Sequence, residues 1–88
     1  MRTEPGVCYI CGRHGDTALH HILPGPLRKT STKYGLWVFL CPDCHQYGPE
    51  SVHRCHKTDM ALRARCQRVF EKLYSHDEWM RIAHKNYL

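Results

Sequence analysis

Two groups of residues in this chain have the types and spacings that bind metal ions. The first is Cys8-x-x-Cys11 and, after twenty-nine intervening residues, Cys41-x-x-Cys44. A CxxC turn presents two sulfurs on one side, and zinc takes four such ligands in a tetrahedron, so two knuckles close one structural site. Thiolate–zinc bonding contributes on the order of 10–16 kcal/mol in small zinc peptides, enough to outweigh the core of so short a chain. The second group is imidazole. Of eight histidines, His14, His56, His76 and His84 are scattered and read as solvated, whereas His20, His21, His45 and His53 are not. His45 directly follows the second knuckle and His53 lies eight residues on. Adjacent residues on a strand point to opposite faces, so at a strand end His20 can meet a metal while His21 points across a cleft. His20, His45 and His53 could then hold a divalent ion with an open position, as catalytic metals require. His21 is left as a general base, a role suited to a group that titrates near neutral pH.

The elements that must position these groups follow from the local pattern. Residues 7–12 and 41–45 are the knuckles, with Gly12 supplying the backbone freedom of the first. Residues 18–22 (ALHHI) read as a short strand stopping at Pro24, and 36–40 (LWVFL) as a buried strand. The intervening PGPLRKTSTKYG reads as a loop, with Pro24 and Pro26 forbidding a ladder and Gly25 and Gly35 allowing turns. Residues 45–57 are expected to be irregular, because Gly48 and Pro49 interrupt any helix. From Thr58, an expected cap with Asp59 in the first turn, Leu62, Cys66, Val69, Phe70 and Leu73 form one apolar face. Arg63, Arg65, Gln67, Arg68 and Lys72 are assigned to solvent. Ser75 and Glu78 form a capping box for a second helix, 76–85, burying Trp79, Met80, Ile82 and Ala83. The expected organisation is one small α+β domain, 1–88, with a catalytic hairpin over 18–40 and a helical tail over 58–85.

The formal charge of +5 favours an anionic partner. Arg28, Lys29 and Lys33, with Tyr34 and Trp37 nearby, could grip a phosphate backbone without reading sequence. Six cysteines could instead form disulfides, but Met1–Gly6 carry no apolar core of a secretion signal, so a cytoplasmic setting is expected. No apolar run approaches a membrane span. Cys41-Pro42-Asp43-Cys44-His45 also matches the c-type haem attachment motif, a reading that needs export and leaves Cys8 and Cys11 without a role. A thiol redox protein would use one CxxC in a βαβ context that is missing here.

His20-His21-Ile22, Arg28-Lys29, Ser31, Lys33-Tyr34-Gly35-Leu36-Trp37-Val38, Leu40-Cys41-Pro42, Cys44-His45, Val52-His53 and Asn86-Tyr87-Leu88 together resemble the HNH endonuclease superfamily. The similarity is closest to small phage and prophage proteins of the recombination-enhancement type, and it runs along nearly the whole chain. The resemblance implies a zinc-stabilised ββα-metal fold and a metal-dependent DNA endonuclease. In it His20, His45 and His53 ligate the catalytic ion (Mg2+, Mn2+, Ni2+ or Zn2+) and His21 activates water. It also implies DNA as partner, a recombinase or replication protein as a candidate for delivering it, and a bacterial host cytoplasm. Two positions depart from the family pattern. His20 stands where the family has Asp, which shifts preference toward softer ions. The central Asn is missing, the only asparagine being Asn86, and Ser31 and Tyr34 are candidates to brace the inter-strand loop in its place. The competing reading is a non-catalytic zinc-ribbon module that binds DNA or protein. It predicts one bound zinc and a silent His21→Ala.

Overall fold

The computed structural model describes residues 1–23 and 25–88; the expected strand stop at Pro24 lies outside the described residues. Strands β1 (Ala18–His21) and β2 (Trp37–Leu40) pair antiparallel, with Ala18 opposite Leu40, Leu19 opposite Phe39, His20 opposite Val38 and His21 opposite Trp37. Opposed residues share a face and the faces alternate along each strand. One face therefore carries His20, Val38 and Leu40, all buried. The other carries His21, Leu19, Trp37 and Phe39, the last two in edge-to-face contact at 5.8 Å. Aromatic and β-branched residues in β2 suit this half-buried pleat.

The stretch between the strands corrects the expectation of an irregular loop. A 3-10 turn, Gly25–Leu27, leads into helix α1 (Arg28–Tyr34), which buries only Ser31. A helix that buries one serine has no apolar periodicity to read. Gly35 ends it at φ 69°, in the left-handed region that glycine tolerates, its N–H turned to the Ser31 and Thr32 carbonyls.

Helix α2 (His56–Leu73) starts two residues before Thr58, after Cys55, without a side-chain cap. Leu62, Cys66 and Phe70 form the buried stripe, Val69 is half-buried, and Leu73, expected in the core, is exposed. Gln67, assigned to solvent, is fully buried instead. Its Nε2 donates to Asn86 Oδ1 at 2.8 Å and Glu71 Oε2 at 2.6 Å, and its Oε1 accepts the Tyr87 N–H at 2.7 Å. A buried amide is tolerated when so satisfied, and these bonds fold the C-terminal segment back onto α2.

Helix α3 (His76–Ala83) begins as expected, with Ser75 Oγ accepting the Glu78 N–H at 3.0 Å. The Glu78 carboxylate turns to Arg81. The helix ends at Ala83, two residues earlier than expected, where His84 adopts a left-handed conformation. Trp79 is fully buried and its Nε1–H donates to the Lys85 carbonyl at 2.9 Å; Ile82 and Ala83 are buried and Met80 half-buried. The inner sheet face, α2 and α3 share one core in which Val38, Leu40, Cys66, Phe70 and Trp79 take part. The result is a small α+β fold with a two-stranded antiparallel sheet and helices. Among the described residues, no helix is long and apolar enough to cross a membrane.

Candidate functional site

The N-terminal segment runs along the free edge of β2, where the Phe39 N–H donates to Thr3 Oγ1 at 2.8 Å and the Tyr9 N–H to the Phe39 carbonyl at 2.9 Å. This lays the first knuckle beside the end of β2, from which the second knuckle continues directly. The first is closed by the Gly12 N–H donating to the Cys8 carbonyl at 2.9 Å, with Gly12 at φ 76°. In the second, the Cys44 N–H points at Cys41 Sγ at 3.5 Å. An exposed ion pair, Arg13 to Asp43 at 3.1 Å, links the two turns. The sulfurs of Cys8, Cys11, Cys41 and Cys44 all lie within 4.8 Å of one another, with Cys11 and Cys41 3.8 Å apart. Four sulfurs on one zinc at about 2.3 Å stand about 3.8 Å from each other, whereas a disulfide needs about 2.05 Å.

The cluster's electrostatics have the same sense. Burial, then the neighbouring Cys41, Cys8 and Cys11, push the Cys44 thiol well up. Burial opposes ionisation at Cys8 too, but there hydrogen bonds from the backbone of Cys11, Cys41 and Ile10 prevail and bring the thiol down to about 6. Four sulfurs this close cannot all ionise without a cation among them. The group is short of positive charge, and a divalent cation makes up that deficit. The four cysteines could therefore hold a structural zinc.

His20 projects from the inner face of β1. His45 sits in a π-helical turn, Asp43–Tyr47, immediately after the second knuckle. The chain then doubles back, with the Val52 N–H donating to the Cys44 carbonyl at 2.9 Å and the His53 N–H to the His45 carbonyl at 3.3 Å. Gly48 permits this closure, since a Cβ there would lie 2.6 Å from the Asp43 carbonyl oxygen. Donor nitrogens of His20, His45 and His53 lie within 4.8 Å of one another, and the Nε2 atoms of His45 and His53 are 3.0 Å apart. Imidazole nitrogens sharing one ion at about 2.0–2.1 Å stand about 3.3–3.4 Å apart in a tetrahedron and about 2.8–3.0 Å apart at right angles. The buried Nε2 of His20 has no hydrogen-bond partner. Such an orphan costs about 1–3 kcal/mol, a penalty that ligation would relieve. Burial, then His45 and His53, hold His20 down at about 4, and burial followed by His53 lowers His45. Lone pairs are thus available at neutral pH, and an imidazole donor set suits zinc, nickel or iron better than magnesium.

His21 faces the other way, its Nε2 3.1 Å from Thr32 Oγ1 on α1. The Thr32 hydroxyl donates its one hydrogen to the Arg28 carbonyl at 3.2 Å, an atom that can only accept. It is therefore free to accept from His21 Nε2–H, which leaves Nδ1 as the basic nitrogen. Burial, then the Arg28 charge, hold this imidazole below its ordinary value. The four histidines line one cleft of about 500 Å³, together with Arg28, Asp59 and Arg63. A larger groove, about 850 Å³, runs between the N-terminal segment and α2 past Val7, Tyr9, Ile10 and Leu62. It gathers no histidine, whereas the smaller cleft holds all four of the singled-out imidazoles.

Of the three basic residues expected at a phosphate backbone, Arg28 lines the cleft, while Lys29 and Lys33 occupy exposed positions on α1. Arg63, assigned to solvent from the sequence, lines the cleft instead; its spacing of four from Asp59 was the available signal. Thr32 was also missed, because its bond to His21 joins two elements and leaves no short-range spacing to reveal it. Of the two residues considered for bracing the inter-strand connection, Ser31 is fully buried and its Oγ accepts the Leu23 N–H at 3.2 Å. The Tyr34 hydroxyl is engaged by Arg81. Ser31→Ala strands that buried N–H and is expected to cost about 1–3 kcal/mol, or about 4–8 °C in Tm per kcal/mol. An unchanged thermal melt would remove Ser31 from this role. No family model, curated protein or solved structure matches the chain.

Proposed function

We propose that the chain is a metal-dependent DNA endonuclease of the HNH, ββα-metal type. In this reading zinc on Cys8, Cys11, Cys41 and Cys44 is structural, and His20, His45 and His53 hold a catalytic divalent ion. One observation carries the proposal. Three imidazoles converge on a common point, with an orphaned nitrogen among them, in the same cleft as a fourth imidazole held by Thr32. A zinc-ribbon binding module has no use for that arrangement.

His21 Nδ1 takes a proton from water, and the hydroxide attacks phosphorus as the bond to the 3′-oxygen breaks. His20, His45 and His53 would hold the ion, which would supply positive charge to the phosphate and the leaving oxygen. Arg28 meets the backbone at the mouth of the cleft. A phage or prophage setting, with a recombinase or replication protein delivering the DNA, belongs to the same reading.

The test is nicking of supercoiled plasmid by the zinc-loaded protein, with EDTA or added Mg2+, Mn2+, Ni2+ or Zn2+. Cutting is expected only with an added ion, and His53→Ala should raise the ion concentration for half-maximal rate roughly tenfold or more. DNA binding without cutting under every ion would favour the non-catalytic zinc-ribbon module.

A further inference from the structure

We infer that Arg63 is a fixed phosphate anchor of the cleft, oriented by Asp59 and by Tyr87 of the C-terminal segment. The inference rests on the nuclease reading only for the identity of the phosphate as that of DNA.

Arg63 stands in the middle of α2, and its side chain is 16% exposed. Its Nε–H donates to Asp59 Oδ1 at 3.2 Å and its Nη2 to Oδ2 at 2.9 Å. Nη1 donates to the Tyr87 hydroxyl at 3.2 Å, and the Tyr87 ring centroid lies 5.6 Å from the guanidinium carbon. Tyr87 is itself held, through its N–H on the buried Gln67 and its ring against Trp79. A guanidinium has five N–H donors. Three are used here, leaving two for the cleft that Arg63 lines beside His20, His45 and His53.

An ordinary ion pair four residues apart on a helix is a weak contact and needs no third holder. Arg63 is gripped by a carboxylate, a phenol and an aromatic face while half-enclosed. That grip sets the guanidinium plane before any ligand arrives, so less freedom is lost when a phosphate binds it in two-pronged fashion. Arg28, the other arginine of the cleft, is exposed. A guanidinium stays charged at any working pH, so Arg63 is the positioned permanent cation of the site. The chemistry it fits is a phosphodiester oxygen pair next to the three histidines. The C-terminal segment thereby becomes part of the site, because Tyr87 helps set the angle of Arg63.

The test is binding of a short DNA duplex by the zinc-loaded full chain without a second metal, across a salt series. Arg63→Gln combined with Asp59→Asn removes the anchor while keeping the pair's net charge at zero. It is expected to weaken binding roughly tenfold and to lower the slope of log K against log salt by about one. Arg68→Gln, an exposed arginine on the same helix, should change the slope less. Wild-type affinity and slope in the double variant would overturn the assignment, as would an equal effect from Arg68→Gln. Should the double variant fail to fold, Arg63→Lys decides. It keeps the charge and loses the fork, so a several-fold loss of affinity at unchanged slope supports the anchor and wild-type affinity overturns it. The readout needs no cutting. A protein that binds through Arg63 but never nicks would move the non-catalytic binding module, or a nuclease that needs a partner, ahead and leave the anchor standing.

Discussion

Zinc-free protein, or Cys41→Ser, is expected to lose its cooperative fold at neutral pH. The described sheet has two strands of four residues each, and a pair that small is marginal alone in water. The cysteine cluster binds the start of the chain to the end of β2, and His45 hangs directly from the second knuckle. Four convergent thiols without a cation leave either buried charge or protonated sulfurs with nothing at their centre. Apparent zinc affinities of on the order of 10–16 kcal/mol are as large as the whole net stability of a typical domain, roughly 5–15 kcal/mol, so unfolding rather than softening is the anticipated outcome. Metal analysis should give one tightly held zinc per chain before any second ion is added. Circular dichroism melts with and without a strong chelator then decide. A sharp, unshifted transition in verified zinc-free protein would make the cysteine site dispensable to the fold.

The second large effect is catalytic. His21→Ala should lower metal-dependent nicking by about 10²–10⁴-fold, the usual contribution of a positioned base, with duplex affinity, zinc content and melting temperature near wild type. Thr32→Val keeps the imidazole and removes the hydroxyl that accepts its Nε2–H. A smaller loss is expected there, carried mainly by kcat, because the ring is then free to rotate or change tautomer. If His21→Ala cuts as fast as wild type, the base is another group and the geometry around Thr32 is structural. If the variant also loses its zinc or its melt, the lost rate says nothing of proton transfer, and His21→Gln, closer in size, takes its place.

The two effects differ in how far the sequence shows them. The cysteine cluster is legible because a CxxC turn closes within four residues by backbone geometry, so its chemistry travels with its spacing. Both strands and the Ser75 start of α3 are legible within a residue or so for the same reason, since cap and alternation are local. The stripe of α2 is readable at Leu62, Cys66 and Phe70. It misleads at Leu73 and Gln67, because helical spacing tells which residues share a face but not where a neighbouring segment covers it. Gln67 is buried by the returning Asn86–Leu88 segment, and Leu73, in the last turn of α2, is left exposed. Helix α1 carries no amphipathic signal, being held by Ser31 and ended by Gly35.

By itself the sequence determined which atoms are available: four thiols paired by turn geometry, a histidine tied to the second knuckle, and two adjacent histidines that strand alternation must separate. Only the tertiary structure decided which of them meet. His53 joins His45 through backbone bonds across the Gly48 turn, and His20 joins both through the pairing of β1 with β2. Arg63 enters the cleft because Asp59 and Tyr87 hold it there. Such meetings depend on contacts between distant residues, whose stability comes from burying whole faces of elements together. Short-range spacing records the shape of one element at a time, and the faces those elements present to one another are settled only when they pack.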